Sequence, residues 1–125
     1  EDLTKHKTDS EEMEITQEAC DIINTAKTER NKIFAVGTTS LKALETAVTI
    51  KGRVNPFKGW TNKFIFPHYD FNTADALITN FHLPKSPMMM EVAAFAGYDL
   101  LMKAYKTAVA EKYRFFTYGD AMLIL

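Results

Sequence analysis

The chain has 125 residues, of which 46% are hydrophobic and 25% charged, a balance that excludes an intrinsically disordered protein. Its net charge of −1 does not by itself indicate a nucleic-acid partner, and no apolar stretch reaches the roughly 18 residues that span a membrane. The single cysteine, Cys20, excludes an intrachain disulfide and a cysteine-only metal site. We expect one domain over residues 1–125 in a reducing, cytoplasmic setting.

The start of the chain suggests part of a longer protein. The first residue is Glu1 rather than Met, and the charged run that follows contains neither a signal-peptide core nor a clean capping signal. We therefore expect an N-terminal part of the same protein to be missing. A functional site could be divided between that part and this chain.

In the first half of the chain, predicted strands alternate with predicted helices. Apolar residues recur at helical spacing after Thr16, which is a good N-cap, and a short apolar run stops at Gly37. The predicted elements are strands at 12–15 and 32–36 and helices at 17–29 and 41–49.

The second half continues this alternation. Pro87 is suited to the first position of a helix with Ser86 as its N-cap, and Gly97 can end that helix. The predicted elements are a loop at 53–60, strands at 63–66 and 76–79, helices at 87–96 and 99–112, and extended segments at 113–118 and 121–125. This order predicts an α/β fold with helices layered around a mainly parallel sheet.

Two predicted turns lead from a strand into a helix, where free backbone N–H groups attract anions. The first contains Thr38, Thr39 and Ser40, which could bind a carboxylate or phosphate or could simply cap the helix. The second runs from Asn80 to Ser86. Within it, His82 could move a proton near neutral pH, Lys85 could hold an anion, and Asn80 could orient a substrate, although a lone loop histidine is more often structural.

Three further features have simpler interpretations beside functional ones. At least one of Met88, Met89 and Met90 is expected to line a pocket or interface, and Cys20 is expected to be an inert core thiol. Asp120 suits a turn, and it gains interest only if it faces the same cleft as His82. We predict no metal site, since His6 and His68 have no partner at ligand spacing.

Basic and aromatic residues alternate in the segment 51–63, which contains no acidic residue. Arg53 and Lys58 could contact phosphates there, and Trp60 could stack on a base. The alternative is a solvated connecting loop with Trp60 folded into the core.

Three sequence runs together resemble the S-adenosylmethionine:tRNA ribosyltransferase-isomerase (QueA) family of queuosine biosynthesis. They are AVGTTSLKALE at 35–45, ALITNFHLPKSPMMMEVAAFAG at 76–97 and YRFFTYGDAMLI at 113–124. One departure is Glu91, which stands where the family usually has a more hydrophobic residue. The resemblance implies the C-terminal part of the family's α/β domain, without the β-barrel domain that is inserted in family members.

The resemblance also implies a reaction. The ribosyl group of S-adenosylmethionine is transferred to 7-aminomethyl-7-deazaguanine at the tRNA wobble position and isomerised to epoxyqueuosine, while adenine and methionine leave. No metal is implied. The partners would be the tRNA anticodon stem-loop and the missing N-terminal part.

We assign expected roles on this basis. Thr38, Thr39 and Ser40 would bind the amino-acid end of S-adenosylmethionine. The catalytic candidates are His82, Lys85 and Asp120, the further substrate-binding candidates are Asn80 and Ser86, and the tRNA-binding candidates are Arg53, Lys58 and Trp60. The alternative is a non-catalytic nucleotide- or RNA-binding module, which the absence of a carboxylate pair or nucleophile motif leaves open, especially for the chain alone.

Overall fold

A computed structural model describes residues 10–65 and 69–125, and it confirms the α/β class. The elements are β1 (Glu11–Ile15), α1 (Gln17–Thr28), β2 (Phe34–Val36), α2 (Thr38–Ala47), β3 (Phe57–Thr61), β4 (Ala76–Asn80), α3 (Pro87–Ala96), α4 (Tyr98–Ala110) and β5 (Ala121–Ile124). No helix within these described ranges is long and apolar enough to cross a membrane.

The strands form two sheets, and their pairing is mixed rather than mainly parallel. In the three-stranded sheet, β4 is central, with β2 parallel to it on one side and β5 antiparallel on the other. In the second sheet, β1 pairs antiparallel with β3. The chain re-enters the three-stranded sheet with Ala121 opposite Asn80, at the carboxyl end of β4, so β5 must run back along it.

The predictions for the segments 53–60, 63–66 and 113–118 are wrong. The predicted loop at 53–60 contains most of β3, because pairing with β1 outweighs the turn signal of Gly59. Residues 63–65 are not in a strand, and the last residue of that predicted strand lies outside the described residues. Residues 113–118 are not in a strand, and the chain turns at 116–118, with positive φ angles at Phe116 and Tyr118.

One hydrophobic cluster joins the sheets to the helices, and Cys20 is fully buried within it, as predicted. Its best-buried large side chains include Leu41 of α2, Leu77 of β4, Val92 of α3 and Leu101 of α4. Helix α2 contacts β1, β2, β4 and α3, and α3 contacts α4. Helix α2 therefore lies between the sheets and α3, which brings the starts of α2 and α3 near β1.

A buried carboxylate fixes the segment that precedes β4. Glu45 of α2 accepts hydrogen bonds from the backbone N–H groups of Asn72 (2.8 Å) and Thr73 (3.0 Å). Burial, together with the charge of Glu45 and a hydrogen bond to it, raises the pKa of Tyr69 to about 12. Both oxygens of Glu45 are thus satisfied by neighbouring donors.

Candidate functional site

Helices α2 and α3 begin at the same edge of the three-stranded sheet. Because β2 and β4 are adjacent and parallel, their carboxyl ends lie side by side. Helix α2 follows β2 directly after Gly37, whose N–H donates to the carbonyl of Ile78 in β4 at 2.7 Å. Helix α3 follows β4 after the turn 81–86. The two strand-to-helix turns that the sequence singled out are therefore neighbours.

The first turns of the two helices differ in their capping. Ser86 caps α3, since its hydroxyl accepts from the N–H of Met89 at 3.1 Å, as predicted. Helix α2 begins at Thr38 rather than near Leu41, and its N-cap is Gly37, which offers no side-chain acceptor. The prediction that threonine or serine caps this helix is wrong, because those hydroxyls lie inside its first turn. The start of α2 is thus free to receive an anionic group.

A cavity of about 270 Å³ lies between these helix starts and β1. Its lining residues carry hydroxyl, ammonium, carboxylate and thioether groups, and they include Glu11, Thr38, Thr39, Lys42, Met88 and Glu91. Two of the predicted substrate-binding residues, Thr38 and Thr39, thus line the cavity. The cavity also contains one of the three consecutive methionines, as the sequence analysis expected.

Three charged side chains meet in this cavity. The Nζ atom of Lys42 lies 2.9 Å from a carboxylate oxygen of Glu11 and 3.7 Å from Oε1 of Glu91. Lys42 and Glu91 are both buried, whereas Glu11 is partly exposed. The second oxygen of Glu91, Oε2, is buried and has no hydrogen-bond partner among the described residues.

Burial raises the pKa of Glu91 to about 7. The positive charge of Lys42 opposes this shift and the negative charge of Glu11 adds to it. Sequence reasoning noted Glu91 only as a departure from the family pattern and missed Lys42 and Glu11. The sequence shows that Lys42 is charged, but its burial follows from the packing of α2 against β1 and α3, which is visible only in the structure.

His82 lies in the second turn, outside the lining of this cavity. Its ring nitrogen Nε2 is 2.8 Å from the hydroxyl of Thr79, and its backbone N–H donates to the hydroxyl of Tyr105 at 2.7 Å. Burial lowers the pKa of His82, which favours the neutral form of its ring. Lys85 is exposed at the same turn and adopts a φ of 63°. Thr38 and Thr39 thus line the cavity, whereas His82 and Lys85 do not.

Asp120 is held by its own turn. Its Oδ2 atom accepts from the backbone N–H of Arg114 at 2.7 Å, and its carbonyl accepts from the side-chain amide of Asn80 at 3.1 Å. The guanidinium of Arg114 lies 3.6 Å from Oδ1. These contacts join two of the candidates, since Asn80 holds the turn that contains Asp120. Asp120 therefore has the bonding of a turn residue.

The candidate tRNA-binding residues lie on a different surface. Lys58 and Trp60 are exposed on one face of β3, and Trp60 is 67% exposed, so the alternative that placed it in the core is wrong. The register places Glu14 opposite Lys58 and Glu12 opposite Trp60. The sequence analysis did not predict that Glu12 and Glu14 lie beside Lys58 and Trp60, because the sequence does not specify which strands pair. Arg53 lies before β3, in the connection that follows α2.

Within residues 10–65 and 69–125, no group of three or more His, Cys, Asp and Glu side chains is arranged to hold a metal ion. Two histidines considered as ligands, His6 and His68, lie outside the described residues.

Comparison with known proteins tests the family resemblance. The sequence model of a family described as queuosine biosynthesis protein matches residues 1–124. This chain belongs to that family. The three sequence runs therefore identified the queuosine biosynthesis protein family correctly.

Members of the queuosine biosynthesis protein family are similar to this chain over its whole length. Proteins named S-adenosylmethionine:tRNA ribosyltransferase-isomerase from Flavobacterium psychrophilum and Phocaeicola vulgatus are 59% and 61% identical over all 125 residues. The chain covers 36% of each of those proteins. It thus spans little more than a third of their length.

A solved structure shares the fold. The crystal structure of S-adenosylmethionine tRNA ribosyltransferase from Thermotoga maritima matches with a TM-score of 0.84 and 46% sequence identity. The match covers 90% of this chain and 39% of that protein. The α/β arrangement is therefore that of the family.

Proposed function

We propose that this chain is part of a tRNA-modifying transferase-isomerase of queuosine biosynthesis. The enzyme would transfer the ribosyl group of S-adenosylmethionine to 7-aminomethyl-7-deazaguanine at the tRNA wobble position and isomerise it to epoxyqueuosine. Adenine and methionine would leave, and the reaction would take place in the cytoplasm, with a modified tRNA anticodon stem-loop as partner.

The observation that carries this proposal is the continuous similarity to ribosyltransferase-isomerases. Identity between 50% and 61% extends over all 125 residues in relatives that share this name. A non-catalytic binding module is not favoured by these names. Because the chain covers 36% of those relatives, we expect it to contribute only part of the site and to be inactive alone.

The first turn of α2 is the proposed binding site for the amino-acid end of S-adenosylmethionine. Thr38 and Thr39 line the cavity, and Ser40 follows them in the same uncapped turn. Free N–H groups at a helix start favour a carboxylate. Ser86 would act mainly through its position at the start of α3, since its hydroxyl already bonds the N–H of Met89 and the carbonyl of Leu83.

The second turn is the proposed source of acid–base chemistry. A neutral His82 ring can accept a proton, and the lowered pKa from burial favours that state. Lys85 would orient the ribose or adenine, and Asn80 would do so from the adjoining end of β4. Asp120 would act indirectly by holding Asn80, to which its carbonyl is bonded.

The exposed face of β3 is the proposed contact for tRNA. Trp60 offers a stacking surface and Lys58 a charge for phosphate, with Arg53 beyond the start of the strand. Glu12 and Glu14 beside them would limit the attraction to phosphate. Stacking on Trp60 is therefore expected to contribute more than the charge of Lys58.

Adenine release tests the proposed function. A family-length protein that carries this segment should release adenine from S-adenosylmethionine when it is incubated with an anticodon stem-loop containing 7-aminomethyl-7-deazaguanine. The 125-residue chain alone should release none. Failure of the family-length protein to release adenine would overturn the proposal.

Substitution of His82 tests its role in the same assay. His82→Ala should lower turnover by about 100-fold or more if the ring is the general base. Thr79→Val, which removes the hydroxyl partner of the ring, is the control for its positioning. A decrease of only two- or threefold for His82→Ala would remove His82 from that role.

A further inference from the structure

The cavity between α2 and α3 contains a buried carboxylate that the fold leaves half satisfied. Glu91 is 2% exposed, its Oε1 atom lies 3.7 Å from the ammonium of Lys42, and its Oε2 atom has no partner among the described residues. A buried carboxylate oxygen without a donor is costly, and native structures rarely keep one without a reason. Since Glu91 lines the cavity, a ligand in that cavity can supply the missing donor.

Charges of both signs are arranged around this space. The start of α2, with Thr38 and Thr39, has no side-chain cap and favours a negative group. Glu11 and Glu91 flank Lys42, so the ionised cluster carries one net negative charge and favours a positive group. A simple anion would meet the two carboxylates, and a divalent cation would meet the ammonium. A zwitterion satisfies both regions.

We propose that Glu91 is the counter-ion for the α-ammonium group of a ligand whose α-carboxylate lies at the start of α2. This inference rests on the proposed function, and it identifies the group bound in the cavity as the amino-acid end of S-adenosylmethionine. The ammonium supplies the donor that Oε2 of Glu91 lacks. Glu91 is thus a binding residue for the amino-acid end in this chain, and it adds a contact to a site where family members usually have a more hydrophobic residue.

The size of the cavity agrees with a partial ligand. A volume of about 270 Å³ lies below the roughly 300 to 1,000 Å³ that encloses a complete ligand of drug size. The amino-acid end fits such a space, whereas the ribose and adenine would extend beyond it. Met88 lines the cavity, and its polarizable side chain could contact the apolar part of the ligand where the ligand extends out of the cavity.

The proposal predicts a pH dependence of binding. A positive ligand favours ionised Glu91, so affinity should rise as the pH increases through about 7, the pKa of this carboxyl group in the unbound protein. The charged groups that face Glu91 are Lys42 of α2 and Glu11 of β1. Both remain in Glu91→Gln, which should lose this pH dependence.

Calorimetric titration with two ligands tests the proposal. S-Adenosylhomocysteine retains the amino-acid end, whereas 5′-methylthioadenosine lacks it. In a family-length protein carrying this segment, Glu91→Gln should weaken S-adenosylhomocysteine binding about tenfold or more at pH 8 and leave methylthioadenosine within twofold. The matched control is Glu12→Gln, on the exposed face of β1, which should change neither affinity.

Two results would overturn the proposal: unchanged binding of S-adenosylhomocysteine, or an equal loss for both ligands. If Glu91→Gln fails to fold by circular dichroism, Glu91→Leu makes the same test, because it removes the carboxylate and fills the space with apolar atoms. Adenine release with Glu91-independent binding would contradict this inference alone. Glu91-dependent binding without adenine release would contradict the proposed function alone.

Discussion

Glu45 and Glu91 are buried to the same extent, since each is 2% exposed, but their surroundings differ. Glu45 accepts two backbone hydrogen bonds and fixes the segment before β4. Glu91 has a distant ammonium at one oxygen and no described partner at the other. Equal burial therefore accompanies a fully hydrogen-bonded carboxylate in one case and a partly satisfied one in the other.

This difference teaches how a buried charge should be interpreted. A carboxylate whose acceptors are all used stabilises the fold, because the hydrogen bonds offset its desolvation. Burial raises the pKa of a carboxylate that is only partly paired, and ionisation of such a group lowers the stability of the fold. Substitutions at Glu45, at Glu91 and at Lys42, which pairs with Glu91, can separate the two cases.

A pH-dependent loss of stability is expected for Lys42→Met. At pH 8, loss of the ammonium forces Glu91 to take up a proton or to remain charged without a partner, and the free energy of unfolding should fall by about 1 to 2 kcal/mol. Urea denaturation measures this loss, and Lys106→Met, at an exposed position of α4, is the control. The cost should become much smaller at pH 5, where Glu91 is protonated. An equal cost at both values would contradict this explanation.

Glu45→Leu should lower the free energy of unfolding by about 3 kcal/mol, because the N–H groups of Asn72 and Thr73 lose their acceptors. It should also lower the pKa of Tyr69 toward its ordinary value, which ultraviolet titration of the phenol measures. Stability within 0.5 kcal/mol of the original, roughly what a surface substitution gives, would show that Glu45 does not hold this segment.

The pH dependence of stability should also identify Glu91. Its pKa in the folded chain, about 7, lies above its ordinary value of 4.5, so the folded state holds a proton that the unfolded state releases. The resulting stabilisation is complete below pH 4.5 and is lost as the pH rises through 7, a change of about 3 kcal/mol. Urea denaturation across this range should show the loss in the original chain and not in Glu91→Leu.

The smallest change at neutral pH is expected for Glu91→Leu itself. Replacing a half-satisfied carboxylate with an apolar group should leave the free energy of unfolding within about 1 kcal/mol or raise it. The contrast with Glu45→Leu in the same denaturation series is the sharpest test of the comparison. A loss of about 3 kcal/mol at both positions would show that Glu91 is as structural as Glu45.

The sequence predicted helices α1, α3 and α4 and strands β2 and β4 well, because local periodicity and capping residues such as Thr16 and Ser86 specify them. It did not predict β3 or the antiparallel direction of β5, since both depend on pairing between distant segments. The junction between β2 and α2 was placed correctly at Gly37, although the helix begins there and not near Leu41, and the cluster of Lys42 with Glu11 was missed. Those residues are 31 positions apart, and only the folded chain brings them together.

A crystal structure of a family-length protein carrying this segment with bound S-adenosylhomocysteine tests the central claim most directly. We predict that the amino-acid end occupies the cavity, with its carboxylate at the start of α2 beside Thr38 and its ammonium within hydrogen-bond distance of Glu91. An amino-acid end bound elsewhere, with this cavity empty, would contradict the account.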